Sequence, residues 1–131
     1  DEVLLVTTPE PTSLTDAYAV MKAYSIYAAQ KNLRLIINRV YEQKESREVA
    51  AKMQRAAEKF LHMPVDCLGY VFEDTAVTKA VRRQTPLIKA EPNTPAARCI
   101  DALAEALVTG EEMHVKRGWK GFLQQIFNFS T

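Results

Sequence analysis

The sequence predicts an α/β protein: three α/β/α layers around a mostly parallel sheet, with an amphipathic helix at the C-terminal end. Three observations carry this. Apolar β-type runs alternate with segments of helical periodicity in the order βαβαβα(β)α. The run at Leu33–Asn38 is apolar almost throughout, the pattern of a strand covered on both faces. The first run, Val3–Val6, ends in hydroxyls and turns through Pro9-Glu10-Pro11 toward a helix, so a buried strand delivers its carboxyl end to a polar loop and a helix N-terminus. With 131 residues, 47% of them hydrophobic, the chain can build the core of one domain.

The elements follow in order. Val3–Val6 reads as the first strand. The next helix, capped by Thr12 or Ser13 and running over residues 13–30, shows an apolar stripe at Leu14, Ala17, Tyr18, Met21, Tyr24 and Ala28. The second strand spans Leu33–Asn38. A polar bridge, Glu42 to Ser46, leads to a helix ending near His62, with Val49, Met53, Ala56, Ala57 and Phe60 on one face. Val65–Phe72 is the third strand. A helix over Asp74–Gln84 points Val77, Ala80 and Val81 inward, and Pro86-Leu87-Ile88 begins a short extended piece. Thr94 as N-cap and Pro95 at the first helical position open a last helix, which stops at Gly110. The domain is expected at 1–109, a linker at 110–115 and the amphipathic helix at 116–131.

Composition narrows the class. A net charge of +1 exerts no global pull on nucleic acid, and none is expected as a partner. Mean hydropathy is −0.19. No signal peptide opens the chain and no apolar run approaches the ~20 residues of a membrane span, so the expectation is cytoplasmic. Cys67 and Cys99 lack ligand-like spacing and read as reduced, buried thiols. No metal site is expected. Asp1 stands directly before a core-type strand, which suggests a fragment, a processed product or a truncated chain.

Four places carry chemistry. Asn38-Arg39 follows the second strand; a side-chain amide there suits the edge of a purine base, or caps a turn. Phe72, Glu73 and Asp74 leave the third strand: Phe72 either stacks on a base or fills the core, and Asp74 has the character of a helix N-cap. Pro9, Glu10 and Asp16 flank the first loop, where capping and solvation account for two isolated carboxylates. No nucleophile or carboxylate is arranged around His62 or His114, and no acyl-transfer signature occurs. In the tail, Trp119, Phe122, Leu123, Ile126 and Phe127 fall on one helical face, with Lys116, Arg117 and Lys120 at the front. Such a face either docks on the protein's own core or lies in a membrane interface. Insertion would contribute ~1.5–3 kcal/mol per large side chain, and the two states can alternate.

These segments resemble the MinD/ParA family of P-loop ATPases. The strand ending in Thr-x-Pro-Glu before a helix that begins Asp-Ala, the run Leu35-Ile36-Ile37-Asn38-Arg39-Val40, and Leu68-Gly69-Tyr70-Val71-Phe72-Glu73-Asp74 match in order, with Phe72 where the family carries Pro. Ala80-Val81-Arg82-Arg83-Gln84-Thr85-Pro86 is similar to the branch that sets flagellar number and position, FlhG or YlxH-like. The resemblance covers residues 1 to about 109 and corresponds to the C-terminal half of the family's domain. It implies a partial P-loop domain lacking its N-terminal strands, from a switch that dimerises on ATP with Mg²⁺ and attaches reversibly to membrane. It further implies that Asn38 and Arg39 meet the nucleotide base and that Phe72, Glu73 and Asp74 wall it. Pro9, Glu10 and Asp16 would face a homodimer partner or regulator, and Lys116, Arg117, Trp119, Lys120, Phe122, Leu123, Ile126 and Phe127 an anionic membrane. Flagellar partners (an SRP-type GTPase or switch proteins) and a location on the inner face of the membrane follow from the same resemblance. The departure is equally definite. The four glycines, Gly69, Gly110, Gly118 and Gly121, form no Gly-x-x-x-x-Gly-Lys-[Ser/Thr] loop, and a Mg²⁺-binding Asp at a strand end is absent. The chain as given is therefore expected not to hydrolyse ATP. The alternative expectation is a non-catalytic adaptor that binds membrane or a partner and self-associates through the uncovered edge of its first strand.

Overall fold

The computed structural model describes residues 2–28 and 32–116. Three parallel strands, β1 (Val3–Thr7), β2 (Leu33–Val40) and β3 (Asp66–Phe72), lie in the order β1-β2-β3. Helices α1 (Pro11–Tyr27) and α2 (Gln43–Leu61) cover one face, and α5 (Pro95–Thr109) packs on the other against β3. Short α3 (Thr75–Arg82) and α4 (Leu87–Ala90) connect β3 to α5. The predicted three-layer α/β/α class is thus the observed one.

The layers follow from strand alternation. Leu33, Leu35 and Ile37 point into the α1/α2 core with Ala17, Met21, Val49, Met53 and Ala57, while Ile36, Leu68 and Val71 pack with Cys99 and Leu103 of α5. The α1 stripe also behaves as its spacing predicts, with Leu14, Tyr18 and Tyr24 packed around that first core.

Alternation breaks twice. Ile37 and Val40, three residues apart, are both fully buried in the same core. An extra residue in β2 between them shifts the register against Tyr70 and Phe72, and Arg39 takes up the irregularity at φ +60°. In β3 the extra residue falls beside Gly69, so Leu68 and Val71 share the α5 side. The two irregularities keep β2 and β3 in step over their full length.

Several boundaries and faces differ from the sequence reading. Helix α1 starts at Pro11 rather than after Thr12 or Ser13, because proline's fixed φ begins a helix at no hydrogen-bond cost; Glu10 occupies the N-cap without a side-chain cap bond. Helix α3 buries Ala76 and Ala80, leaving Val77 and Val81 at 37% and 70% exposure, since the small pair lets the helix sit close. Phe60 is likewise outside the core, with Lys59 Nζ 5.3 Å from its ring. The Pro86–Ile88 piece is not extended but runs into the helical turn α4. Past Gly110, at φ +75°, residues 111–116 form no helix or strand, yet Met113 and Val115 pack against the α5 core. Gly69 makes room for this: a Cβ there would meet Met113 Sδ and, at 2.8 Å, Leu103 Cδ2.

Candidate functional site

The carboxyl ends of all three strands open on the same edge, where β1 leads to α1, β2 to α2 and β3 to α3. In doubly wound proteins this is where ligands bind. Here Thr8, Pro9, Glu10, Arg39, Tyr41, Glu45 and Glu73 line a cleft of about 200 Å³.

Its floor is set by the β2 irregularity. Asn38 is half-buried, and its Oδ1 accepts the backbone N–H of Arg39 at 2.9 Å. That bond fixes the amide plane and leaves the NH₂ group and a second oxygen lone pair for a partner. Arg39 reaches across the cleft. Its Nε donates to Glu73 Oε2 at 2.7 Å, and its Nη1 lies 3.7 Å from Glu10 Oε1. The hydrogen bond to Glu73, then the charges of Glu73 and Glu10, push the guanidinium pKa up, so the group stays cationic.

The β1–α1 loop is knitted by hydroxyls. Thr7 Oγ1, fully buried, lies 2.9 Å from Ser13 Oγ, which also accepts the Thr8 N–H at 2.9 Å. On the far wall Glu45 Oε2 accepts the Tyr41 N–H at 2.9 Å. Three carboxylates (Glu10, Glu45 and Glu73) thus face one guanidinium, a balance that repels phosphate and suits a neutral base or hydroxyl group.

The predicted residues divide accordingly. Arg39, Glu73, Pro9 and Glu10 come together in this cleft, while Asn38, at the same strand end, is not among the residues that line it. Asp16 sits on the exposed side of α1 and does not line the cleft. Phe72 meets Tyr70 edge-on, with ring centroids 5.1 Å apart, and lines a separate groove with Gln43 and Met113. Asp74 spans two helices: Oδ1 accepts Ala76 N–H at 2.9 Å and Oδ2 accepts Ala96 N–H at 3.0 Å. It caps α3 and also serves the N-terminus of α5, where Thr94 turns its hydroxyl to Glu91 O instead. Lys116 is exposed beside His114 and Asp101; Arg117, Trp119, Lys120, Phe122, Leu123, Ile126 and Phe127 lie outside the described residues. Sequence reasoning passed over Thr8, Tyr41 and Glu45. The acid in the first turn of α2 was the available signal for Glu45.

Elsewhere, burial pushes both thiol pKa values up: Cys99 is fully buried on the inner face of α5, and Cys67 lies partly buried in β3. No described helix is long and apolar enough to cross a membrane.

A parallel sheet sandwiched by helices, with a polar cleft at its strand ends, defines a three-layer α/β domain. Comparison with known proteins specifies it further. The chain is 34% identical over 104 residues to the antiactivator FleN of Pseudomonas aeruginosa, covering 79% of this chain and 37% of FleN. It is 31% identical over 134 residues to the flagellum site-determining protein YlxH of Helicobacter pylori, covering 98% of the chain and 45% of YlxH. With the ATP-binding protein MJ0547 of Methanocaldococcus jannaschii it shares 32% identity over 126 residues, 95% of the chain and 45% of that protein. No family model matches. The chain is a member of the MinD/ParA family of P-loop ATPases, related to its FlhG/YlxH branch. It spans less than half the length of these curated relatives.

Proposed function

We propose that the chain supplies the base-recognising and regulator-facing part of an ATP-binding switch that positions or counts flagella or division sites. The observation that carries this reading is Asn38: an amide at a strand's carboxyl end, anchored through Oδ1 by the next backbone N–H. Held this way, its NH₂ can donate to a purine ring nitrogen while the second lone pair accepts an exocyclic amine. Glu73 and Arg39 flank the base, and the acidic balance of the cleft leaves the phosphates and Mg²⁺ to other parts of the complete protein. Pro9 and Glu10, with Asp16 further along α1, form the face offered to a second copy or a regulator. The 116–131 segment attaches the protein reversibly to anionic membrane from the cytoplasmic side, with Trp119, Phe122, Leu123, Ile126 and Phe127 inserted. Flagellar proteins are the partners that this relationship favours.

Calorimetric titration of ATP into the full native product tests the base site. Asn38→Ala removes two hydrogen bonds at about 1 kcal/mol each and should weaken binding by roughly tenfold or more. Equal affinity would refute the assignment. For the tail, co-sedimentation with anionic vesicles should be lost both in a chain ending at Val115 and in Trp119→Glu; equal binding by all three removes the membrane role.

A second reading, a non-catalytic adaptor, is favoured by one observation. β1 is an edge strand, and Leu4 and Val6 are 39% and 56% exposed on the face α5 leaves open. No ATP binding by the native product, together with membrane or partner binding, would select it.

A further inference from the structure

Arg39 is placed with more care than surface charge requires. It sits in the left-handed region at φ +60°, where a non-glycine residue persists only when its surroundings hold it, and it does so at the one register break that β2 carries before the cleft. Its side chain then joins two loops. Glu73 leads from β3 to α3, and Glu10 is the N-cap residue of α1.

We propose that Arg39 is a positioning residue that clasps the β1–α1 loop to the β3–α3 loop, so that filling the cleft beside Asn38 and Glu73 is transmitted to Pro9 and Glu10. The inference rests on the reading that a nucleotide base lies beside Asn38. The two arms of the clasp are unequal. The 2.7 Å bond to Glu73 is a charge-assisted hydrogen bond, whereas 3.7 Å to Glu10 is a charge contact without one. A ligand hydroxyl or amine donating to Glu73 competes with Arg39 for that carboxylate. The guanidinium then shifts toward Glu10 and draws the β1–α1 loop inward. Exposed pairs of this kind add little to stability, so the clasp registers in loop behaviour rather than in unfolding.

Two amides report on the loop. Thr8 N–H is held by Ser13 Oγ, and Leu14 N–H by Glu10 O at 3.0 Å. Their hydrogen exchange is measured in the full native product with and without ADP. ADP is expected to slow both amides several-fold in the wild type. Glu10→Ala, compared at ADP concentrations that saturate it, should lose the slowing. Persistence of the slowing in Glu10→Ala overturns the clasp, as does ADP binding to the wild type with no response at either amide. If ADP does not bind the wild type, the base-site reading has failed, and the ligand-free protein decides the clasp. There Arg39→Met must speed exchange at Thr8 and Leu14 while α5 amides stay unchanged; unaltered rates at Thr8 and Leu14 overturn it.

Discussion

Replacing Asp74 by Asn keeps the shape of the side chain and removes one acceptor. The carboxylate accepts Ala76 N–H on one oxygen and Ala96 N–H on the other, so each oxygen serves the second residue of a different helix. Asn supplies one oxygen and turns an NH₂ group toward the remaining N–H, two donors facing each other across about 3 Å. The lost cap costs about 1 kcal/mol. The second bond, charge-assisted and part-buried, adds about 1.5–3 kcal/mol. Asp74→Ala vacates both N–H groups and should therefore lose about 2.5–4 kcal/mol, whereas Asp74→Asn keeps one oxygen and should lose about 1–3 kcal/mol. At about 3–5 °C per kcal/mol for a domain of this size, the melting temperature of Asp74→Ala should fall by roughly 8–20 °C and that of Asp74→Asn by less. Urea unfolding followed by circular dichroism gives the free energy directly, and the slope with denaturant should stay constant. An Asn variant within about 0.5 kcal/mol of the wild type would refute the double-cap account. If that stable variant instead lost ATP affinity, Asp74 would be a wall of the base site.

Other expectations concern packing, edge and thiols. Gly69→Ala displaces Met113 and should destabilise by about 1–3 kcal/mol in urea titrations; Gly69→Ala with Met113→Ala should cost less than the two singles summed, because truncating Met113 relieves the nearer of the two contacts and leaves only that with Leu103. Additive losses would mean that Met113 does not occupy the niche. Val6→Lys places a charge beside the open edge of β1 and should reduce any self-association seen by sedimentation velocity at micromolar concentration; a wild-type chain that is sharply monomeric there refutes the edge argument. Cys99 has its folded pKa raised by burial, so the neutral thiol is the form the fold favours. This contribution is fully present below the ordinary thiol value of 9.0 and is lost as pH rises from there through the folded value, with stability falling accordingly. Native Cys99 should also resist iodoacetamide at pH 8 until the protein is unfolded, and rapid labelling of the folded state would contradict its burial.

The sequence by itself determined the class, the element order apart from the helical turn α4, and most of the core, because those depend on short-range periodicity. The apolar run of Leu33–Asn38, the stripe from Leu14 to Tyr24 and the Thr94-Pro95 start of α5 are each written within a few residues. It also marked Asn38, Arg39, Glu73 and Glu10, since strand ends and loop composition are local features. Of the three residues expected inward on α3, Ala80 is buried and Val77 and Val81 are not, because packing distance favours the small pair Ala76 and Ala80. The rest belongs to tertiary structure. An extra residue in a strand has no local signature, so neither the parity switch between Ile37 and Val40 nor the placing of Arg39 could be read in advance. Asp74 was legible as a cap of α3, but its second oxygen serves a helix that begins 21 residues later, a contact made only by the fold. Met113 on Gly69 is the same kind of fact, set by a close approach between segments far apart in the chain. The cleft itself is assembled from three loops, and its charge balance exists only once all three strands end on one edge.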